Sequence, residues 1–257
     1  MNLVIDQGNT VCKIAVFDEE GRLEVAQTVE RLTTDTVKAW LKRYVASAII
    51  YSSVGPCEDD ALTLLRTERP DLVELGATTP VPLSLDYDRR TLGSDRLAAA
   101  VGASLRLGDS EREVLIIDAG TAITYEWIDA EGIYRGGNIS PGAYLRLRGL
   151  HHFTSRLPLI TELNPEIMDV TFGCNTEEAM VVGVLSGLVH EVEGYIRSLR
   201  GRSPEALVLL TGGDAELIVS RVREPLVLAP DLVLEGLNYI LEYNKDYVAS
   251  NNMGCPR

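Results

Sequence analysis

The chain has 257 residues, of which 46% are hydrophobic and 24% are charged, and its formal net charge is -14. That much apolar sequence is enough for a buried core. Nucleic acid is excluded as an expected partner, because phosphate backbones need clustered Lys and Arg that so acidic a chain lacks. The longest apolar runs fall far short of a membrane span, and the chain starts directly with a strand pattern rather than a basic signal segment. We therefore expect a cytoplasmic protein with no membrane partner.

Cysteine and histidine spacing gives no sign of a metal site. The four cysteines lie far apart and form no CxxC pair, which in such a chain indicates reduced thiols. His151 and His152 are adjacent and His190 stands alone, so that no zinc-ligand spacing is present. For the histidine pair, within residues 148–160, we expect an exposed loop.

Strand and helix patterns alternate through the first half of the chain. β-branched runs predict strands and one-sided apolar spacing predicts helices. The predicted elements are strands at residues 3–6, 11–17, 48–54 and 72–75, and helices at 34–45, 58–67 and 96–107. Residues 76–96 are polar and contain prolines, which predicts a long loop of the kind that carries function.

The second half continues the alternation. Asn175 is the predicted N-cap of a long helix from Thr176 to about Leu199, and Glu178 completes a capping-box pattern. The other predicted elements are a strand from residue 114, a glycine-rich turn at 136–142 followed by a basic loop, a strand running into a glycine turn at 206–213, and helices at 215–221 and near 234–243. Alternating strands and helices predict the α/β class.

One pattern occurs twice. "LVIDQGNTVCKIAVFD" from Leu3 and "VLIIDAGTAITYEWID" from Val114 each run from apolar residues into an Asp-x-Gly turn and out along a second strand. The two aspartates, Asp6 and Asp118, are 112 residues apart, close to half the chain. A single repeat at that spacing predicts two related halves, residues 1–112 and 113–257, rather than a solenoid.

The first turn has the chemistry of a phosphate site. Gly8 lets a ligand approach the backbone closely, successive N–H groups favour anions, and Asn9, Thr10 and Lys13 add donors. Asp6 cannot bind phosphate directly, so its carboxylate indicates a bridging cation, usually magnesium with its waters. A plain type I′ hairpin is the alternative interpretation of this turn taken alone.

Three such turns together favour a nucleotide site. The third is Thr211-Gly212-Gly213, after an apolar strand. Neither a Walker A loop nor a Rossmann fingerprint is present. Two phosphate hairpins followed by a glycine turn for adenosine resemble the acetate kinase, sugar kinase, Hsp70 and actin superfamily.

Within that superfamily, "DQGNTVCK", "GSDR", "DAGTAIT", "GGNISPG" and "TGG", in this order, resemble the type III pantothenate kinase family over residues 3 to about 240. The resemblance implies two duplicated ribonuclease H-like (actin-like ATPase) domains in an α/β chain, and an obligate homodimer. It implies ATP-dependent phosphorylation of pantothenate to 4'-phosphopantothenate, the first step of coenzyme A biosynthesis, with Mg2+ and a monovalent cation, K+ or NH4+.

The resemblance also assigns site residues. Asp6 would hold magnesium through water, Asp118 the monovalent cation, and Asp95 would act as general base or orient the hydroxyl. The ATP contacts would be Asp6, Gln7, Gly8, Asn9, Thr10, Val11, Cys12, Lys13 and Thr121. The pantothenate contacts would be Tyr87, Gly93, Ser94, Asp95, Arg96 and Thr176.

Some of these residues have simpler explanations. Asp95 suits a helix N-terminus through the dipole, and Arg96 suits either a substrate carboxylate or a surface salt bridge. Thr176 lies at a helix start, where polar groups bind readily, and either subunit of a dimer could supply it. Cys12 reads as a small buried filler facing away from ligand.

Two other functions fit parts of the pattern. A kinase of the same superfamily acting on a sugar or small hydroxy acid would need the same phosphate hairpins; only "GSDR" and the loop before it argue against that activity. A non-catalytic regulator could keep the fold, although the net charge and the three aspartates Asp6, Asp95 and Asp118 argue against it.

Overall fold

The computed structural model describes residues 1–108, 110–163 and 170–252, with side chains up to residue 245. The chain divides into two compact units. Unit 1 comprises Met1–Ser110, Gly132–Arg135 and the chain from Asp231 onwards; unit 2 comprises Glu111–Glu131 and Gly136–Pro230. The observed division differs from the expected one, at residues 112 and 113, because the C-terminal segment packs within unit 1.

Unit 1 is built on a five-stranded sheet. Its first elements are β1 (Asn2–Gln7), β2 (Cys12–Phe17), β3 (Leu23–Val29), α1 (Thr34–Arg43), β4 (Ala48–Ser53), α2 (Asp59–Glu68), β5 (Val73–Glu74), β6 (Ser84–Leu85) and α3 (Ser94–Leu107). The sheet order is β3-β2-β1-β4-β5. Apolar side chains of β1, β2 and β4 pack with α1 and α2 in one core.

Unit 2 repeats this design. It contains β7 (Val114–Ala119), β8 (Ala122–Ile128), β9 (Ile133–Pro141, from Gly136 onwards), α4 (Ala143–His152), α5 (Thr176–Arg200), β10 (Leu207–Thr211), α6 (Ala215–Val219) and β11 (Val227–Leu228). The strands follow the order β11-β10-β7-β8-β9. When β7 is matched with β1, this is the order of unit 1, with the same antiparallel hairpin and the same parallel neighbour. The predicted duplication is therefore present in the topology.

The last helix completes unit 1. This helix, α7 (Leu232–Asn252), is longer than the predicted 234–243 and packs closely on α3. Gly102 and Gly236 lie at their contact, where a Cβ on Gly236 would overlap the carbonyl oxygen of Ala98. Two helices can approach this closely only where side chains are absent.

Four elements differ from the sequence-based expectation. β3 was missed because it is a mostly exposed strand with polar residues, and β6 because it has only two residues, which pair with the start of β9 inside unit 1. The predicted turn at 136–142 is wrong, since these residues mostly form the end of β9. The predicted loop after it is also wrong: α4 occupies residues 143–152, and His151 and His152 are exposed at its end.

α5 spans two packed clusters of unit 2. Its first turns pack with α4 and its later turns pack on the sheet. By length and composition alone α5 is apolar enough to cross a membrane, but half of its apolar window is buried inside the protein. This burial is typical of a core helix.

Candidate functional site

The first glycine turn joins β1 to β2 at one end of the sheet of unit 1. The Gly8 N–H donates to the carbonyl oxygen of Val11 at 2.9 Å, which closes the turn. Asp6 and Lys13 are register partners on the two strands. The tip residues Asn9, Thr10 and Val11 are exposed. The turn therefore presents its tip to solvent, as a ligand loop must.

Two of the predicted ATP contacts point their side chains into the protein. The Gln7 amide is buried, donates to the Gly8 carbonyl at 2.9 Å and accepts the Leu32 N–H at 3.0 Å. The Cys12 thiol is buried in the apolar core, as expected for a filler. Both residues are left with only backbone groups for a ligand.

The loop after β4 supports the first turn from behind. The Val54 N–H donates to the Gln7 carbonyl at 3.0 Å. A Cβ on Gly55 would overlap the carbonyl oxygen of Gly8, so only glycine fits there. Gly55 directly follows the predicted strand at residues 48–54, and nothing in the local sequence indicates this contact.

Asp6 has an electrostatically costly environment. Among the residues that the structure describes, its Oδ1 is buried without a hydrogen-bond partner. Burial, with the nearby Asp95 carboxylate, raises the pKa of Asp6 to about 6, against the opposing effects of the Ser52 hydroxyl and Lys13. A buried carboxylate with one unpartnered oxygen, beside a second carboxylate, is a setting that a cation would stabilise.

Asp95 lies in the first turn of α3, directly after Gly93 and Ser94. Its Oδ1 accepts the backbone N–H of Arg96 at 2.8 Å, as in the expected helix N-terminus. The Ser94 hydroxyl accepts a hydrogen bond from Ser52 at 2.9 Å. The structure thus brings Asp95 and Ser94 to the same end of the sheet as Asp6.

Arg96 is not a surface residue. Arg96 is a buried residue, 7% exposed. Its Nη2 donates to the Tyr134 hydroxyl at 3.2 Å. Its guanidinium carbon lies 5.6 Å from the centre of the Tyr87 ring, and Tyr87 packs edge-on against Tyr134 at 5.7 Å. The predicted pair Tyr87 and Arg96 is therefore in contact, and Tyr134 is an additional member.

The second glycine turn lies at the matching place in unit 2. The Gly120 N–H donates to the Ala122 carbonyl at 3.0 Å. Gly142 closes on this turn: its N–H donates to the Thr121 carbonyl at 3.0 Å, and a Cβ there would overlap the Gly120 carbonyl oxygen. The last glycine of "GGNISPG" is thus required by its contact with the turn.

The third turn packs against Asp118. Thr211 is the register partner of Asp118. Gly212 has a φ of 97°, and a Cβ on it would overlap both the Ala119 carbonyl and the Asp118 carboxylate. Gly212 therefore packs directly on both oxygens, and carboxylate and carbonyl oxygens are the kind of ligand that a hard cation prefers.

Thr176 is the first residue of α5 and is exposed. The capping prediction is confirmed for Asn175, whose Oδ1 accepts the Glu178 N–H at 3.0 Å; the Glu178 carboxylate accepts the N–H of Cys174 at 2.7 Å, one residue earlier than in a standard capping box. Thr176 also lines a groove of about 720 Å³ between α4 and α5.

Divalent-metal binding is possible without a protein cage. In the described parts of the chain no three His, Cys, Asp or Glu side chains cluster as a metal site. Magnesium usually uses one or two carboxylates, waters and the phosphates of its substrate. The orphaned oxygen of Asp6 fits that mode.

Ser52 and Tyr134 were missed by the sequence analysis. The repeat holds a signal for Ser52: it is the register partner of Asp6 on β4, as Thr211 is of Asp118 on β10. Tyr134 carries no local signal, because β9 meets β6 only after folding.

Comparisons with known proteins agree with this geometry. A family model described as type III pantothenate kinase matches residues 2–198. The chain is 46% identical to the type III pantothenate kinase of Porphyromonas gingivalis and 40% identical to that of Bacteroides fragilis, in each case over 95% of this chain and 98% of the relative.

Solved structures are similar in fold. A Campylobacter jejuni protein described as a Baf family transcriptional activator has a TM-score of 0.60 at 21% identity, covering 95% of this chain and 99% of the other. A glucokinase of the ROK family from Streptomyces griseus has a TM-score of 0.51 at 15% identity, covering 94% and 98%. The expected duplicated, actin-like fold is confirmed.

Proposed function

This chain belongs to the type III pantothenate kinase family, whose activity is ATP-dependent phosphorylation of pantothenate in coenzyme A biosynthesis, and we propose that Asp6, Asp95 and Arg96 carry that activity here. The observation behind the proposal is the buried, unpartnered Oδ1 of Asp6 beside the Asp95 carboxylate. Two neighbouring carboxylates, one at the end of β1 beside the glycine turn and one in the first turn of α3, suit a phosphoryl-transfer site better than a structural role.

In the proposed mechanism Asp95 accepts, or orients, the proton of the pantothenate hydroxyl. A carboxylate is a weak base, but the phosphoryl-transfer transition state is loose and depends mainly on positioning and charge. Asp6 would hold Mg2+ through water, and the ion when bound would offset the charge of the phosphates. The turn at residues 6–13, through its exposed tip, and the Thr121 side chain would bind ATP.

Arg96 is the proposed partner of the pantothenate carboxylate. Its planar fork suits a carboxylate, and its contacts with Tyr87 and Tyr134 hold the guanidinium in one place. Gly93 and Ser94 complete the substrate side. Discrimination for pantothenate over a sugar would come from this charge.

For the monovalent cation we propose Asp118. Its carboxylate and the Ala119 carbonyl converge at Gly212, which provides oxygen ligands for K+ or NH4+. The ion would offset phosphate charge. We further propose a cytoplasmic protein that has neither nucleic-acid nor membrane partners.

A homodimer is proposed from the exposed apolar surface of unit 2. Phe153 and Phe172 are 84% and 83% exposed, and the groove between α4 and α5 is lined by apolar residues beside Thr176. Exposed apolar patches of this kind mark interaction sites. A second copy covering the groove would bring Thr176 into a shared pocket.

The test is ADP release from Mg-ATP with pantothenate, in potassium buffer and then in sodium buffer. We expect turnover that needs pantothenate and potassium. Asp95→Asn should lower kcat by about a hundredfold or more, while Asp88→Asn, at an exposed carboxylate in the loop before α3 that pairs with Arg90, should not.

Each failure has a different meaning. Turnover indifferent to potassium would contradict the role of Asp118. Turnover with a sugar or another hydroxy acid, and none with pantothenate, would contradict the substrate assignment, and a lack of turnover on any substrate would favour a regulator.

A further inference from the structure

A partly buried charge network in unit 2 ends at the second phosphate turn. Its centre is the Glu191 carboxylate on α5, which accepts the Tyr125 hydroxyl at 2.8 Å through Oε1 and Arg146 Nη2 at 2.6 Å through Oε2. The Ser140 hydroxyl donates to the same Oε2 at 3.3 Å. Four residues from β8, β9, α4 and α5 are thus joined through one carboxylate.

The Arg146 guanidinium links the Glu191 carboxylate to the backbone. Its Nε donates to the carbonyl oxygen of Pro141 at 2.7 Å, and its Nη2 also donates to the Ser140 hydroxyl at 3.0 Å. Only a planar fork can make these bonds and hold Glu191 at once; a lysine ammonium has no such geometry.

The next residue along the chain contacts the phosphate turn. Gly142 donates its N–H to the Thr121 carbonyl and sits against the Gly120 carbonyl, with no room for a Cβ. Any movement of Pro141 therefore moves the backbone that fixes the turn.

We infer that Arg146 and Glu191 are positioning residues for nucleotide binding: together they clamp residues 140–142 against the Gly120-Thr121 turn and hold it in the ATP-binding conformation. The inference rests on the proposed role of Thr121 in binding ATP. When the turn is already ordered, less of the free energy of ATP binding is lost in ordering it. The network therefore affects the affinity for ATP rather than the affinity for pantothenate.

The test measures both Michaelis constants and the thermal shift produced by a non-hydrolysable ATP analogue. Glu191→Gln keeps the shape but loses the charge; we expect the KM for ATP to rise about five- to tenfold and the analogue-induced shift to shrink, with the KM for pantothenate within twofold. Arg146→Lys should behave alike, because charge alone does not restore the fork, and the double variant should be no worse than either single one.

Glu193→Gln is the matched control. Glu193 lies on the same helix and pairs with Arg197 at 3.0 Å, but it does not reach residues 140–142. Both Michaelis constants should stay at the wild-type value in this variant.

The inference would be overturned by equal rises in both Michaelis constants or by an unchanged KM for ATP in folded Glu191→Gln. A wild-type KM for ATP in folded Arg146→Lys would overturn it as well. Should Glu191→Gln not fold, Arg146→Lys carries the same expectation. Failure of wild-type protein to phosphorylate pantothenate contradicts the proposed function instead, and the analogue shift still decides this inference.

Discussion

Asp6 is the residue whose environment is most clearly set for a ligand rather than for the fold. Its Oδ1 is buried without a partner in the described chain, and its carboxyl group has a pKa raised to about 6 by burial and by Asp95. Because that pKa lies above the unfolded value of about 3.9, ionisation of Asp6 costs the apo protein stability as pH rises through 6.

Asp6→Asn should therefore stabilise the apo protein at pH 8 while abolishing kinase activity. The expected gain is up to about 3 kcal/mol, the free energy of a shift of about two pKa units, and it should vanish at pH 4, where the native carboxyl group is neutral. Urea unfolding at the two pH values measures it.

Asp18 supplies the control. The Arg22 backbone N–H and side chain lower the pKa of Asp18, so Asp18→Asn should reduce stability at neutral pH instead. An Asp6→Asn variant that is less stable than wild type at pH 8 would show that the carboxylate holds the fold together.

Cys12 illustrates a site residue whose side chain has no reactive role. Burial raises the pKa of its thiol to about 12, with Asp6 and Cys57 adding to the effect. A thiol with so high a pKa is not a nucleophile at neutral pH. This agrees with the expectation of a buried filler in the first phosphate turn.

At the scale of elements, the close packing of α3 on α7 is decisive for unit 1. Gly102 and Gly236 let the two backbones touch, and a Cβ on Gly236 would overlap the Ala98 carbonyl. α3 carries Asp95 and Arg96 in its first turn. α7 therefore supports the helix that carries Asp95 and Arg96, the proposed substrate residues.

Gly236→Ala should destabilise the protein by about 1–3 kcal/mol or more, the range for overpacking a tight core. Gly194→Ala is its control, since Gly194 lies in α5 with open space at its Cβ position; there alanine should be neutral or stabilising. Thermal unfolding of both variants measures the difference in stability. Equal melting temperatures would contradict the close contact.

At the scale of the whole molecule, the proposed homodimer accounts for the exposed apolar surface between α4 and α5. Phe153→Asp places a charge on it and should convert the proposed dimer to a monomer in sedimentation equilibrium, because an unpaired charge buried at an interface is costly. Val45→Asp is the matched control: Val45 is 92% exposed in unit 1, and its substitution should leave the mass unchanged.

Two outcomes would count against this assembly. A wild-type mass of one chain would reject the homodimer. A Phe153→Asp variant that stays at twice the mass of one chain would place the interface elsewhere.

The sequence alone determined the duplicated fold and the identity of most proposed site residues, because both depend on local order. Asp-x-Gly turns between apolar strands can be recognised directly in the sequence. Strong one-sided periodicity predicts the ends of α1, α2 and α5 to within a few residues. Family resemblance then assigned Asp95, Arg96 and Asp118 by motif.

Tertiary structure decided what depends on contacts between distant segments. That α7 packs in unit 1, that Ser52 contacts Ser94 and Tyr134 contacts Arg96, and that residues 136–141 form strand rather than turn all follow from packing. Gly55 and Gly142, which the sequence places at a strand end and in a predicted turn, are required because a Cβ would overlap a carbonyl oxygen. Gly236, in a predicted helix, is required for the same reason. Burial and nearby charge are properties of the folded chain, so only the fold could raise the pKa of Asp6. The same burial gives the first turn a carboxylate that a cation would stabilise.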